Sequence, residues 1–82
     1  MRLDKYLKVS RIIKRRTVAN EACDAGRVVV NGKIARASYD VKVNDVIELT
    51  LGARTVKARV VSVHEYAKKD EAALMYETIE EK

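Results

Sequence analysis

The chain has 82 residues, and its 17 Lys and Arg against 12 Asp and Glu give a formal net charge of +5 at pH 7. A chain this short buries only about 60–65% of its unfolded surface, so we expect residues 1–82 to form one small domain without the deep pocket of a large enzyme. Hydrophobic residues make up 48% of the sequence and charged residues 35%, which indicates a folded protein and argues against a disordered tail.

A short amphipathic helix is predicted at the N-terminus. Leu3, Tyr6 and Leu7 recur at helical spacing, whereas Lys5 and Lys8 fall on the opposite side. We therefore expect the first three side chains to pack in a core. For Tyr6, stacking of the ring on a base is the less favoured alternative.

A basic turn and a second helix follow. Residues 11–16 read as the end of the first helix and a turn, and the second helix is predicted over about 18–25. Thr17 is its candidate N-cap, and Gly26 is expected to end it in a left-handed conformation. Cys23 lies on the apolar side of this helix, where a small buried side chain is the usual case.

The middle of the chain predicts a β-hairpin. Residues 28–30 are all valine, and Asn31-Gly32 is a strong signal for a two-residue turn. The returning strand is predicted over Lys33 to Ala37.

Two further strands are predicted beyond the hairpin. Val46 to Leu51 alternates, with its odd-numbered side chains through Leu51 facing inward. A longer strand is predicted from Thr55 to His64, and the paired Val60-Val61 indicates a bulge.

The last segment has a helical pattern, with Asp70 as a candidate N-cap. Its apolar residues follow the spacing i, i+3, i+4, i+7, namely Ala72, Met75, Tyr76 and Ile79. The sequence therefore predicts an α+β domain: two short N-terminal helices packed on a small, mostly antiparallel twisted sheet, with a C-terminal helix.

The residues offer little for catalysis. His64 is the only histidine and Cys23 the only cysteine, which excludes a two-His metal site, a Cys-based zinc site and an internal disulfide. The three glycines are too far apart to form a phosphate-binding loop. We therefore expect a binding protein and not an enzyme, with no catalytic residue, no metal and no cofactor.

The positive charge is concentrated in the first half of the chain. Residues 1–36 contain ten basic and three acidic residues, a net +7, whereas residues 37–82 have a net −2. Such segregation favours a polyanionic partner over a merely solvated cationic face. No apolar run approaches the ~20 residues that span a bilayer and no signal-peptide core is present, so we expect a cytoplasmic protein with no membrane partner.

The position of the charge favours RNA. A DNA-binding helix-turn-helix over residues 3–25 needs polar residues early in its second helix, where Val18 and Ala19 are poor base readers and only Asn20 and Glu21 could serve. The basic residues instead lie before and after that helix, which suits contacts to the backbone and shape of a folded RNA.

Two strings in this half resemble a known family. Residues 2–7 (RLDKYL) and residues 25–32 (AGRVVVNG), with the basic turn between them, closely resemble the alpha-L RNA-binding motif first recognised in small-subunit ribosomal protein four. The motif also occurs in the heat-shock protein fifteen family. Residues 71–77 (EAALMYE) of this chain resemble the C-terminal segment of that family. The resemblance implies an alpha-L motif over about 2–50, followed by a supporting strand and C-terminal helix over about 54–80.

Within that branch the chain resembles the short Gram-positive members, the RqcP group. This resemblance implies binding to stalled large (50S) ribosomal subunits that carry peptidyl-tRNA, with contacts to large-subunit rRNA and the P-site tRNA. It also implies support of alanine tailing by an RqcH-type factor, and we expect a monomer. The alternatives are a general rRNA-binding or ribosome assembly protein, and the separately encoded binding domain of an RNA-modifying enzyme.

Eight basic residues are the predicted RNA contacts. Arg16 ranks first, because it lies in the basic turn and matches the motif; the alternative is an ion pair with Glu21 or Asp24. Arg2 is next, and its alternative is a mobile, solvated charge at the chain terminus. The full set is Arg2, Lys5, Lys8, Arg11, Lys14, Arg15, Arg16 and Arg27.

Overall fold

The computed structural model describes residues 1–79, which contain three helices and five strands. In chain order these are α1 (Leu3–Val9), α2 (Arg16–Asp24), β1 (Val28–Val30), β2 (Lys33–Ile34), β3 (Val46–Leu51), β4 (Arg54–Val60), α3 (Lys69–Ala72) and β5 (Tyr76–Thr78). The strands form one antiparallel sheet in the order β2-β1-β3-β4-β5. The predicted α+β class is confirmed. Within the described part of the chain, no helix has the length and apolarity needed to cross a membrane.

Helix α1 supplies the centre of the core. Leu3, Tyr6 and Leu7 are fully buried, as their helical spacing predicted. The Tyr6 hydroxyl donates a hydrogen bond to the backbone oxygen of Met75 over 2.7 Å, so this buried polar atom is satisfied and joins the first helix to the end of the fold. Burial raises the pKa of Tyr6 far above its ordinary value. Tyr6 is thus a core residue.

Helix α2 begins earlier than predicted. Its N-cap is Arg15, in an extended conformation and without a side-chain cap hydrogen bond, so Thr17 lies inside the first turn. Gly26 has a φ of +73°, which confirms the left-handed residue expected after the helix. Cys23 is buried, and its burial raises the pKa of the thiol to about 11, so it stays protonated at neutral pH.

The β1–β2 hairpin turns at Asn31 and Gly32, whose φ angles are +53° and +84°. Two successive positive φ values are typical of the tight hairpin turn that the sequence predicted. Strand β2 is only two residues long, Lys33 and Ile34, and the chain leaves the sheet before Ala37. In β3 the inward alternation holds until Leu51, which is 39% exposed because it lies at the β3–β4 turn, beyond the edge of the core.

A buried carboxylate, Asp45, ties this hairpin to the turn before β3. It accepts hydrogen bonds from the Asn31 amide, the Tyr39 hydroxyl and the Lys42 backbone N–H, each over 2.9 Å. Burial on its own raises the pKa of Asp45, but these three hydrogen bonds outweigh it, and the pKa is lowered from its ordinary value.

Acid should therefore weaken the fold through Asp45. Its carboxylate contributes stability in full above the pKa of the unfolded chain, about 4, and that contribution is lost as the pH falls through the lower folded-state pKa. We expect Asp45→Asn to lower the free energy of unfolding by about 1–2 kcal/mol at pH 7 and to flatten the acid side of a plot of Tm against pH. Asp70→Asn, at an exposed carboxyl on α3, is the matched control. An Asp45→Asn protein with the wild-type acid profile would contradict this role.

The predicted C-terminal helix is mostly wrong. Helix α3 ends at Ala72, its N-cap is Lys68 in place of Asp70, and the chain then forms β5 along the open edge of β4. Edge pairing satisfies backbone groups that a free β4 edge leaves open, and this outweighs a local helical pattern. Residue 80, the predicted end of that helix, lies outside the described residues.

Strand β4 also ends earlier than predicted, at Val60 and well before His64. The next two backbone N–H groups, of Val61 and Ser62, both donate to the Met75 oxygen, over 2.8 and 3.1 Å. Two residues facing one is the arrangement of a bulge, one position beyond the predicted pair.

Candidate nucleic-acid interface

Two arginines share one buried carboxylate where α1 meets α2. Asp4 is 3% exposed; it accepts from Arg2 Nε over 3.2 Å and from Arg16 Nε over 3.4 Å. The Asn20 amide donates to the same carboxylate over 3.3 Å, and the Lys5 backbone N–H over 2.8 Å. We call Arg2, Asp4, Arg16 and Asn20 the Asp4 cluster. It holds two guanidinium groups side by side while leaving each about half exposed to an incoming ligand.

The electrostatics of the cluster keep Asp4 ionised. Burial on its own raises the pKa of this carboxyl, but the hydrogen bonds from Arg2, Asn20, Arg16 and the Lys5 backbone together lower it below its ordinary value. A carboxylate that is charged at neutral pH orients both guanidiniums, which retain donors for other acceptors.

The backbone of Arg2 is fixed, contrary to the alternative of a mobile terminal charge. The ammonium of Met1 pairs with the Asp40 carboxylate over 2.7 Å, and the Met1 carbonyl accepts from the Val41 N–H over 2.8 Å. Arg2 itself forms a β-bridge with Asp40. The chain terminus thus lies against the 39–41 segment and holds Arg2 at the start of α1.

A second group of cations follows α1. Lys8, Arg11 and Lys14 together line a pocket of about 270 Å³, and all three side chains are exposed. Arg15 follows as the exposed N-cap of α2. A concave surface lined by three cations suits a phosphate group.

Arg11 has an unusual backbone conformation, with a φ of +63°. It ends α1 in the position that glycine or asparagine usually takes, and its N–H donates to the Lys8 oxygen over 3.1 Å. A left-handed conformation costs a residue with a side chain roughly 1–2 kcal/mol. Backbone strain of this kind clusters at functional sites, so we infer that the Arg11 side chain takes part in binding.

Arg11→Gly and Arg11→Ala should therefore separate stability from binding. Both variants lose the guanidinium and should bind RNA more weakly to the same degree. Only Arg11→Gly relieves the backbone, so it should unfold at higher urea concentration than Arg11→Ala, with a free energy of unfolding about 1 kcal/mol larger. Equal stabilities of the two variants would show that the backbone at this position is not strained.

The N-terminus of α2 lies beside the Asp4 cluster. It has no side-chain cap, and a pocket of about 380 Å³ opens next to it, lined by Asp4, Arg16, Thr17, Asn20 and Glu21. Uncapped first-turn N–H groups and an arginine at one opening are the arrangement that binds phosphate oxygens at helix starts.

Two of the eight predicted RNA contacts, Lys5 and Arg27, do not join the Asp4 cluster or the pocket after α1. Lys5 is half-buried and ion-paired with Glu65. Arg27 lies beyond the far end of α2, a helix about 13 Å long, so the structure does not bring it to the Asp4 cluster. The other six lie directly before or on α1, on the turn after it and at the start of α2, and their contact with RNA stays a prediction. Within residues 1–79 no group of three His, Cys, Asp or Glu side chains could hold a metal ion.

Sequence reasoning missed the central residue of this site. It expected an ion pair of Arg16 with Glu21 or Asp24 as the alternative to RNA contact, and the structure pairs Arg16 with Asp4. The available signal was Asp4 itself, the one acidic residue among the basic residues of the first 20 positions.

The chain is similar to proteins of known function over nearly its whole length. Residues 1–47 match the family model described as the S4 domain. The chain is 56% identical over 81 residues to the RQC P-site tRNA stabilizing factor of Streptococcus pneumoniae, covering 99% of this chain and 92% of that protein. It is 49% identical to the Bacillus subtilis protein of the same name, covering 99% and 94%.

A solved structure has the same fold. The heat shock protein 15 of Vibrio cholerae, described as trimeric, superposes with a TM-score of 0.89 at 28% sequence identity, covering 96% of this chain and 81% of that one. The expected resemblance to both the ribosomal protein four motif and the heat-shock-fifteen branch is confirmed.

Proposed function

Because the chain belongs to the family of RQC P-site tRNA stabilizing factors and carries an S4 domain, we propose that it is an RNA-binding factor of ribosome-associated quality control. It binds stalled large (50S) subunits that carry peptidyl-tRNA, contacts large-subunit rRNA and the P-site tRNA, and supports alanine tailing of the nascent chain by an RqcH-type factor.

The Asp4 cluster carries this proposal. Two guanidiniums fixed by one carboxylate lie beside an uncapped helix start, and the end of α1 with the turn after it carries the Lys8, Arg11 and Lys14 pocket. Together the two helices and their turn present a cationic surface. Such a surface grips phosphates at fixed spacing and recognises RNA by shape more than by sequence. We propose that the protein acts by this binding alone and performs no reaction of its own.

Co-sedimentation tests the proposal directly. A tag belongs at the C-terminus, because the Met1 ammonium is engaged by Asp40. Large subunits carrying peptidyl-tRNA should retain the protein through a sucrose gradient, and vacant large subunits should retain less. Equal retention by both would favour a general rRNA-binding or assembly protein. Recovery only in the ribosome-free fractions would overturn the proposal.

We further propose that residues 1–82 work as one cytoplasmic, monomeric RNA-binding unit. The support is that α1 and α2 of a single copy supply every member of the Asp4 cluster apart from Arg2, the residue just before α1. Light scattering of the purified protein should give a mass near 9.3 kDa. A stable trimer at working concentration would contradict the monomer.

A further inference from the structure

One aromatic ring is exposed beside Lys5, the residue that follows Asp4 on α1. Tyr66 lies in the loop between β4 and α3, outside the residues matched by the S4 family model, and it is 87% exposed. A lone exposed aromatic is unremarkable in itself, because folded proteins expose much apolar surface. Tyr66 differs in that its loop packs against the core and the Lys5 ammonium lies over its ring.

The loop around Tyr66 is anchored. Val63 and Ala67 on either side pack against the hydrophobic core. The preceding residue, Glu65, forms an ion pair with Lys5 on α1. Tyr66 is therefore held in place by its neighbours while its own ring stays in solvent. A ring presented in this way loses little conformational freedom when a ligand stacks on it.

Lys5 connects the ring to the Asp4 cluster. The Lys5 ammonium lies over the Tyr66 ring, 5.8 Å from its centroid, within the range of a cation–π contact. Lys5 directly follows Asp4, and Lys8 lies three residues farther along the same side of α1. One face of the ring is thus turned to the cationic surface, and the high exposure of the residue leaves the opposite face open.

We propose that Tyr66 stacks on an unpaired base of the RNA whose backbone binds the Asp4 cluster. Aromatic side chains beside a cationic groove form the usual platform for unpaired bases, since every base has a π face. Glu65 offsets the charge of Lys5, but within residues 1–79 the exposed cations Arg2 and Lys8 carry no such partner at Tyr66 and favour a nucleic acid over an apolar protein surface. This inference rests on the proposed function and extends its binding surface into the C-terminal half of the chain.

Salt dependence separates stacking from phosphate contact. Affinity for large subunits carrying peptidyl-tRNA is measured by sedimentation at several KCl concentrations. Tyr66→Ala should bind roughly 5- to 100-fold more weakly. Its plot of log affinity against log salt should keep the wild-type slope, because a stacked base releases no counterions. Tyr66→Phe keeps the ring and should bind like the wild type, whereas Tyr66→Leu should bind like Tyr66→Ala.

Cross-linking identifies what touches the ring. Chains with p-azidophenylalanine in place of Tyr66 are bound to the same subunits and irradiated, and the expected product joins the protein to rRNA or tRNA. A product with a ribosomal protein only, Tyr66→Leu binding like the wild type, or an unchanged affinity of Tyr66→Ala would each overturn the stacking while leaving the proposed function in place. Failure of the wild type to bind would remove both. Thermal unfolding of each variant checks that the fold is retained.

Discussion

Arg16→Ala is expected to weaken binding to large subunits carrying peptidyl-tRNA by about tenfold or more. The Arg16 guanidinium is half exposed, fixed by Asp4 and placed at the uncapped start of α2. We therefore expect its loss to remove a charge-assisted hydrogen bond to a phosphate, worth about 1.5–3 kcal/mol. One fewer phosphate contact should also reduce the slope of log affinity against log salt by about one. Sedimentation at several salt concentrations measures both quantities.

Arg54→Ala is the matched control for Arg16. It removes the same charge from an exposed arginine at the β3–β4 turn, which belongs neither to α1 and α2 nor to the turn between them. If the protein bound RNA only through its overall charge, both variants would weaken binding alike. A specific contact predicts that Arg54→Ala stays close to the wild type, and equal effects of the two would remove Arg16 from the interface.

Asp4→Asn should weaken RNA binding even though it makes the protein more positive. The substitution raises the net charge by one, which by simple electrostatics favours a polyanion. It also removes the carboxylate that holds Arg2 and Arg16 together, so both guanidiniums must then be ordered by the RNA at an entropic cost. We expect the second effect to prevail, since it acts on two predicted contact residues at once.

Two further measurements complete the test of Asp4→Asn: its free energy of unfolding, and the RNA binding of a variant with the same change in charge elsewhere. Asp4 accepts hydrogen bonds from four residues, and because both arginines are half exposed and screened by solvent, we expect Asp4→Asn to lower the free energy of unfolding by only about 1–2 kcal/mol. Asp24→Asn makes the same charge change on the exposed side of α2 and should bind as well as the wild type or better. Tighter binding by Asp4→Asn would show that the carboxylate does not organise the site.

The N-terminal half of the fold could be predicted because its local signals agree with its tertiary contacts. The helical spacing of Leu3, Tyr6 and Leu7 coincides with the buried side of α1. Asn31-Gly32 is a turn whose positive φ angles the two residues tolerate. In these segments the chain needs no distant partner to choose its conformation.

The C-terminal half could not be predicted in the same way. The spacing of Ala72, Met75 and Tyr76 suits a helix, and only the presence of the β4 edge, with the Arg59–Glu77 ion pair across it, makes a strand the better choice. That edge is distant in sequence, so no local pattern contains it.

The candidate site shows the same division. Its basic residues could be predicted from composition and from the family resemblance, since each is visible singly in the sequence. Their arrangement could not, because Asp4 and Asn20 meet only when α1 and α2 pack together. The position of Tyr66 beside α1 could not be predicted either. It depends on the ion pair between Lys5 and Glu65, the residue before Tyr66, and these two partners are 60 positions apart in the sequence.

The hydrogen bond from Tyr6 to Met75 spans 69 positions. During synthesis the first helix is made long before its acceptor exists, and until then a buried Tyr6 hydroxyl would lack a partner. Closing so long a loop is also slow, since its entropy is lost before the contact forms. Full burial of the Tyr6 side chain therefore depends on the segment that contains Met75, so we expect the packing of α1 to be completed only after that segment has been synthesised.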